Sequence, residues 1–211
     1  RRNTLQIFIT NACNLRCDGC FARKIMSENK SETNYMTLSE YDQILEKFLA
    51  KGGRQINLLG GEPLLHPNLR EILKINQEKG IKTTEYTNGY FLDKYSIIDL
   101  FGAKLRVSIY SDNGKVKNVV KLPKTDLKFD ANFMISATTT LKELLDSSEY
   151  IEKNYNCDTF FIFSMRELDN PRKEFFDDTP MTMPILQYKE LVHKFLEEYR
   201  GNMEIHISKR G

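Results

Sequence analysis

Apolar positions along the chain switch between two spacings, and the switches mark out repeating strand-then-helix units. Residues 5–10, Leu-Gln-Ile-Phe-Ile-Thr, predict a strand. Leu38, Tyr41, Ile44, Leu45, Phe48 and Leu49 fall at helical spacing and predict a helix over 38–50. Thr37 and Glu40 form a capping box at its start, and Gly52-Gly53 ends it. Residues 54–59 predict a second strand, and Pro67 suits the first turn of a helix that reaches Gly80. A third strand is expected over 81–87, a helix over 92–101 and a fourth strand over 104–110. The polar stretch 111–129 holds Pro123 and leaves room only for a short helix over 115–121. A fifth strand over 131–137 follows, then a helix to Tyr155 opened by the capping box Thr140 and Glu143, then a sixth strand over 158–165. A loop with Pro171 and Pro180 precedes a last helix from Pro184 to Arg200 and a short strand over 203–207.

Alternating βα units imply an α/β fold, a parallel sheet with helices outside it. Six such units fit a partial (β/α)6 TIM-like barrel of parallel strands, read here as one domain over 1–211. Functional residues in such folds gather just after the C-terminal ends of strands. Mean hydropathy is −0.48 and no apolar run approaches the ~20 residues of a membrane span, so no membrane partner is expected. Lys and Arg number 31 against 29 acids, a balance that predicts no nucleic-acid partner. No leader peptide is evident, and the start at Arg1-Arg2 rather than Met points to residues upstream.

Three of the four cysteines, Cys13, Cys17 and Cys20, lie in one short run directly after the first strand. A disulfide framework would spread them out, so they read as a metal site in a reducing, cytoplasmic compartment. A [4Fe–4S] cluster normally takes four cysteines, and three would leave one iron open. A zinc site completed by Cys157 or a histidine stays possible, although structural zinc sites usually pair cysteines as two C-x2-C units. Cys157, before an apolar strand, reads better as a buried small side chain. The second strand ends in Gly60-Gly61-Glu62-Pro63. Two missing Cβ atoms let a ligand reach the backbone, or simply make a turn. Glu62 offers a carboxylate for an ammonium group.

At this point the chain resembles the radical S-adenosylmethionine (SAM) superfamily. The C-x3-C-x2-C run followed by the aromatic Phe21 is that family's signature, Gly60-Gly61-Glu62-Pro63 matches its second motif, and Thr87-Asn88-Gly89 matches a further recurring segment. The resemblance covers roughly residues 5–165. It implies that Cys13, Cys17 and Cys20 would hold a [4Fe–4S] cluster whose open iron chelates the amino and carboxylate groups of SAM. An electron from a reductant such as flavodoxin or ferredoxin would cleave the C–S bond. The resulting 5′-deoxyadenosyl radical would abstract hydrogen from substrate, and no side-chain general base is named. Glu62 would accept from the SAM ammonium. Ser108, alternating with Leu105, Val107 and Ile109, would point inward to the ribose. Thr87 and Asn88 would touch the methionine moiety or shape the turn with Gly89. Arg166 would pair with a carboxylate of SAM or substrate, or form a surface ion pair. The sequence style from Gly60 to Leu69 looks like cofactor-biosynthesis and peptide-maturation members, which suggests a peptide or a small natural-product or cofactor precursor as substrate. The rivals are an activase that installs a glycyl radical on a protein partner, and a non-enzymatic Fe–S or zinc protein. A core without a cysteine-rich C-terminal extension is expected, since Cys157 is the last cysteine up to Gly211.

Other residues carry two readings each. His66 reads as a cap or as solvated, and His193 as surface. Glu85 shares the parity of Thr87, either touching substrate or filling the barrel. Phe160, Phe161, Phe163, Phe175 and Phe176 read as core, and Arg23-Lys24 as a solvated pair or a greeting to an electron donor.

Overall fold

Seven strands form one sheet in chain order: β1 (Thr4–Phe8), β2 (Gln55–Leu59), β3 (Lys82–Thr87), β4 (Lys104–Ile109), β5 (Phe129–Ile135), β6 (Cys157–Ser164) and β7 (Glu204–Ile207). The structure is a computed structural model that describes residues 3–15, 17, 20, 35–109, 122–164 and 182–208. Four α-helices accompany the strands: α1 (Leu38–Ala50), α2 (Leu69–Glu78), α3 (Leu141–Asn154) and α4 (Ile185–Glu198). Pairing is parallel from β1 through β3 and from β5 through β7. The expected α/β fold of parallel strands is therefore present. The expectations for Phe21, Arg23-Lys24, the helix over 115–121, Arg166, Pro171, Phe175, Phe176 and Pro180 fall outside the described residues. No helix among the described residues is long and apolar enough to cross a membrane.

The described chain gathers into two units. One comprises Arg1–Asn14, Ala22–Arg106 and Pro123–Leu127, the other Leu15–Phe21, Val107–Leu122 and Lys128–Gly211. In the first unit the strands bury Ile7, Ile56 and Leu58 against Tyr41 and Leu45 of α1 and Leu69, Ile72 and Leu73 of α2. β2 has Ile56, Asn57, Leu58 and Leu59 all buried, as a strand covered on both faces should. In the second unit Phe133, Phe160 and Phe195 stack in a row, with ring centroids 6.0 and 6.4 Å apart. Phe160 is core as expected, while Phe161 and Phe163 alternate to the half-buried face, where Phe161 stacks on His206. Cys157 is buried, and burial pushes its thiol up to about 11, the state of an inert core cysteine.

Both foreseen capping boxes close, Thr37 with Glu40 and Thr140 with Glu143. The helix expected over 92–101 is instead two 3-10 turns, Leu92–Lys94 and Ile97–Leu100. Ser96 interrupts it by opening a fresh capping box with Asp99, and Phe101 ends the second turn in the left-handed region at φ 47°. The fifth strand starts two residues earlier than expected. Its end is set by Ser136, whose N–H donates to Thr139 Oγ1 in a local turn.

Candidate cofactor site

β1 ends at Phe8, but its hydrogen bonding continues into the cysteine run. Ile9 N–H donates to the Leu59 carbonyl (2.9 Å), Gly61 N–H to the Thr10 carbonyl (2.8 Å) and Glu62 N–H to the Ala12 carbonyl (2.6 Å). The two glycines permit this. A Cβ on Gly60 would lie 2.6 Å from the Thr10 carbonyl oxygen, and one on Gly61 would collide with the Ala12 carbonyl. What approaches the bare backbone here is the chain's own strand leading to Cys13.

The far end of the loop returns to the same strand. Tyr35 makes an antiparallel bridge with Thr10, and Met36 N–H donates to the Ile9 carbonyl (2.8 Å). His66 locks this neck. It is buried, not solvated: Nε2 meets the Met36 carbonyl (3.0 Å), and Nδ1 accepts from Asn68 N–H (3.1 Å) at the start of α2. The two bonds together fix the neutral ring with its proton on Nε2. Burial lowers the ring's affinity for a second proton.

Glu62 is fully buried at the head of a 3-10 turn opened by Pro63. Its Oε1 accepts from Leu64 N–H (3.0 Å) and from the Thr87 hydroxyl (2.6 Å), and its Oε2 accepts from Asn88 N–H (2.7 Å). Burial raises this carboxyl to about 7, against the pull of those three donors. Thr87 Oγ1 also accepts from Gly89 N–H (3.0 Å), and Gly89 takes φ 81°. Asn88 Oδ1 accepts from Tyr90 N–H (3.0 Å), while its Nδ2 donates to Asn14 Oδ1 (2.8 Å) inside the cysteine run. Thr87 and Asn88 thus shape the turn, as one of their two readings had it. Asn14, His66 and this cross-link were not singled out from sequence as parts of the site. The only sequence signal for Asn14 is its place directly after Cys13.

Cys13, Cys17 and Cys20 are half-buried and outside any disulfide, and Cys20 N–H donates to the Cys17 carbonyl (3.3 Å). Among the described residues no three His, Cys, Asp or Glu side chains converge as ligands of a single metal ion. A four-iron cluster does not ask for that, because each thiolate binds a different iron. Three thiols in one run, tied to the sheet by the Ala12 bond and by Asn88, fit such a cluster with one iron left over. Ser108 is half-buried and alternates with the buried Leu105, Val107 and Ile109. Arg106, of the same parity, donates to the Tyr86 hydroxyl (3.2 Å). Glu85 lies on the opposite face of β3 from Tyr86, fully buried, with the helix-side Thr83. Phe21 and Arg166 lie outside the described residues. A cavity of about 660 Å³ opens between the end of β1 and α1, and Gly60, Glu62, Thr87 and Asn88 are not in its lining. His193 is exposed beside Glu197, as expected for a surface residue.

Comparison with known proteins follows the same geometry. The profile of the Radical SAM superfamily matches residues 7–179. GTP 3′,8-cyclase of Synechocystis sp. is 29% identical over 185 residues, which is 79% of this chain and 55% of that protein. The chain thus spans little more than half of that relative's length. Streptococcus suis SuiB bound to precursor peptide SuiA superposes with a TM-score of 0.69 at 18% identity, over 98% of this chain and 48% of SuiB. TYW1 with a lysine-pyruvate adduct bound superposes with a TM-score of 0.62 at 14% identity, over 93% of this chain and 74% of the other. The family match takes in the cysteine run, the Gly60–Pro63 turn, the Thr87–Gly89 turn and every strand from β2 to β6, and the chain belongs to the radical SAM superfamily, enzymes that use a [4Fe–4S] cluster and SAM.

Proposed function

We propose that this chain is the catalytic core of a radical SAM enzyme acting on a peptide or on a small cofactor precursor. Cys13, Cys17 and Cys20 would hold the cluster, and SAM would lie along Gly60–Pro63 with Thr87, Asn88 and Ser108 nearby. Phe21 and Arg166 are assigned to the same site by their place in the sequence. The observation that carries the reading is the hydrogen-bonded seam that joins the cysteine run to Gly61, Glu62 and Asn88. A cluster and SAM held by these residues would supply the radical chemistry that removes hydrogen from a substrate. The chain's own residues position and shield. Glu62 holds a carboxylate behind the two glycines and keeps one lone pair of Oε2 for an ammonium group. Cys13 enters the site at a height fixed by the Ala12 carbonyl bond. A single-domain core and an external electron donor belong to this proposal. The substrate class draws support from two likenesses, one to a GTP 3′,8-cyclase and one to a structure that carries a precursor peptide.

The test is SAM cleavage by the anaerobically reconstituted, reduced chain, read as 5′-deoxyadenosine. Cys17→Ala should abolish it, because a second iron loses its thiolate. Cleavage retained in that variant rejects the ligand assignment, and bound zinc in place of iron and sulfide rejects the enzyme. Deuterated peptides and deuterated nucleotides then separate the two substrate classes by which of them passes deuterium to 5′-deoxyadenosine.

A further inference from the structure

Glu85 stands in the middle of β3, outside all three motif segments. Its side chain is 0% exposed, and among the described residues neither carboxylate oxygen has a hydrogen-bond partner. It lies beside Leu58 of β2 and shares its face with Thr83, whose Oγ1 accepts from Asn76 of α2. α2 turns Leu69, Ile72, Leu73 and Asn76 inward and leaves Arg70, Glu71, Lys74 and Glu78 exposed. Glu62, in the turn after β2, is the titratable group that acts on Glu85, and Glu85 in turn raises the Tyr95 phenol. Tyr95 donates its proton to the Leu64 carbonyl (2.9 Å), and Arg70, over the Tyr95 ring at 4.6 Å, is paired with Asp99 (2.7 Å). Among the described residues no cationic side chain answers Glu85. An ionised carboxylate there would be an uncompensated charge in an apolar layer.

Glu62 is the contrast: equally buried, close enough for the two to repel, and supplied with three donors. Between about pH 7 and 8 the two carboxyls share one proton, and it belongs on the one without donors. We propose that Glu85 is a positioning residue: by holding that proton it lets Glu62 alone carry charge, which keeps Thr87 and Asn88 on Glu62 and, through Asn88, Asn14 of the cysteine run in place. This rests on the reading of Gly60–Asn88 as the SAM side of the site. Burial first, and the charge of Glu62 second, raise Glu85 to about 8, so the proton is lost a little above neutral pH. A second buried negative charge then appears beside the first. Water reaches it only if the strand ends part, which breaks the tie between Asn88 and Asn14.

The test compares cluster-loaded wild type with Glu85→Gln and with Glu85→Leu, the second matching the apolar neighbours should the first not fold. Infrared difference spectra read the protonated-carboxyl band between about pH 7.5 and 9, where Glu62 is already mostly charged, and equilibrium dialysis reads SAM affinity over the same range. The band should bleach with rising pH in wild type and be missing from both variants. SAM affinity should fall on the order of tenfold in wild type and stay level in the variants. A band that persists in Glu85→Gln overturns the proposal, and so does an affinity that falls equally in wild type and variants. If wild type binds no SAM at any pH, the site reading fails instead, and the infrared band still decides where the proton sits.

Discussion

Gly61 shows how much of the site turns on a single missing atom. Its bare Cα accommodates the Ala12 carbonyl, the last peptide before Cys13. Gly61→Ala should cost about 1–3 kcal/mol through forced separation of the two strand ends. It should also lower the iron retained after reconstitution. Denaturant unfolding and iron analysis check the two effects, and unchanged iron content would mean the loop seats itself without this contact. Gly60-Gly61 was conspicuous in the sequence, but the partner of that bare backbone was not, since it comes from another strand. The same limit hid His66 and Asn88. Their partners lie 30 and 74 residues away in the chain, and no local pattern announces such a meeting. Glu62 was visible as an acid after a strand. Two of its three donors, the Thr87 hydroxyl and Asn88 N–H, arise only once the ends of β2 and β3 stand side by side, while Leu64 N–H is local.

At the level of elements, local chemistry was the reliable guide. Thr37 with Glu40 and Thr140 with Glu143 close within a single turn, so the sequence alone specifies them. The failure at 92–101 has the same origin, because Ser96 competes for the backbone and starts a new turn within the apolar run. What joins finished elements is less local. The Tyr41 hydroxyl of α1 donates to Asn76 Oδ1 of α2 (2.8 Å), and Asn76 Nδ2 donates to Thr83 Oγ1 of β3 (3.0 Å). All three side chains are buried. Tyr41→Phe should therefore leave the Asn76 oxygen unsatisfied and cost about 1–3 kcal/mol, with secondary structure intact by circular dichroism. A cost near zero would show that water reaches Asn76 and replaces the lost donor.

For the whole molecule, the buried acids set a pH dependence of stability. Glu62 and Glu85 have folded values of about 7 and about 8 against an ordinary 4.5, so the folded chain keeps protons that the unfolded chain has released. Stability from these groups is present below 4.5 and is lost as pH rises toward 7 and 8. The buried His66 works in the opposite sense, but only below its ordinary 6.5. Between pH 6.5 and 8 the carboxyls act alone, and stability should decline by at most ~1.4 kcal/mol per pH unit for each acid still titrating. Unfolding free energies of the full chain at the two ends of that window check the sign, and a rise toward pH 8 would contradict it. The strand order was legible because βα periodicity survives along the chain. The division into two units was not, because it depends on contacts between distant segments.

The neck formed by Thr10, Tyr35, Met36 and His66 makes one side chain the keeper of two chain segments. Met36 N–H is held by the Ile9 carbonyl and the Met36 carbonyl by His66, so the entry to the cysteine run and the return from it are fastened at the same residue. A change at His66 therefore reaches the path toward Cys13 without touching a cysteine, and the imidazole works as the latch of that doorway.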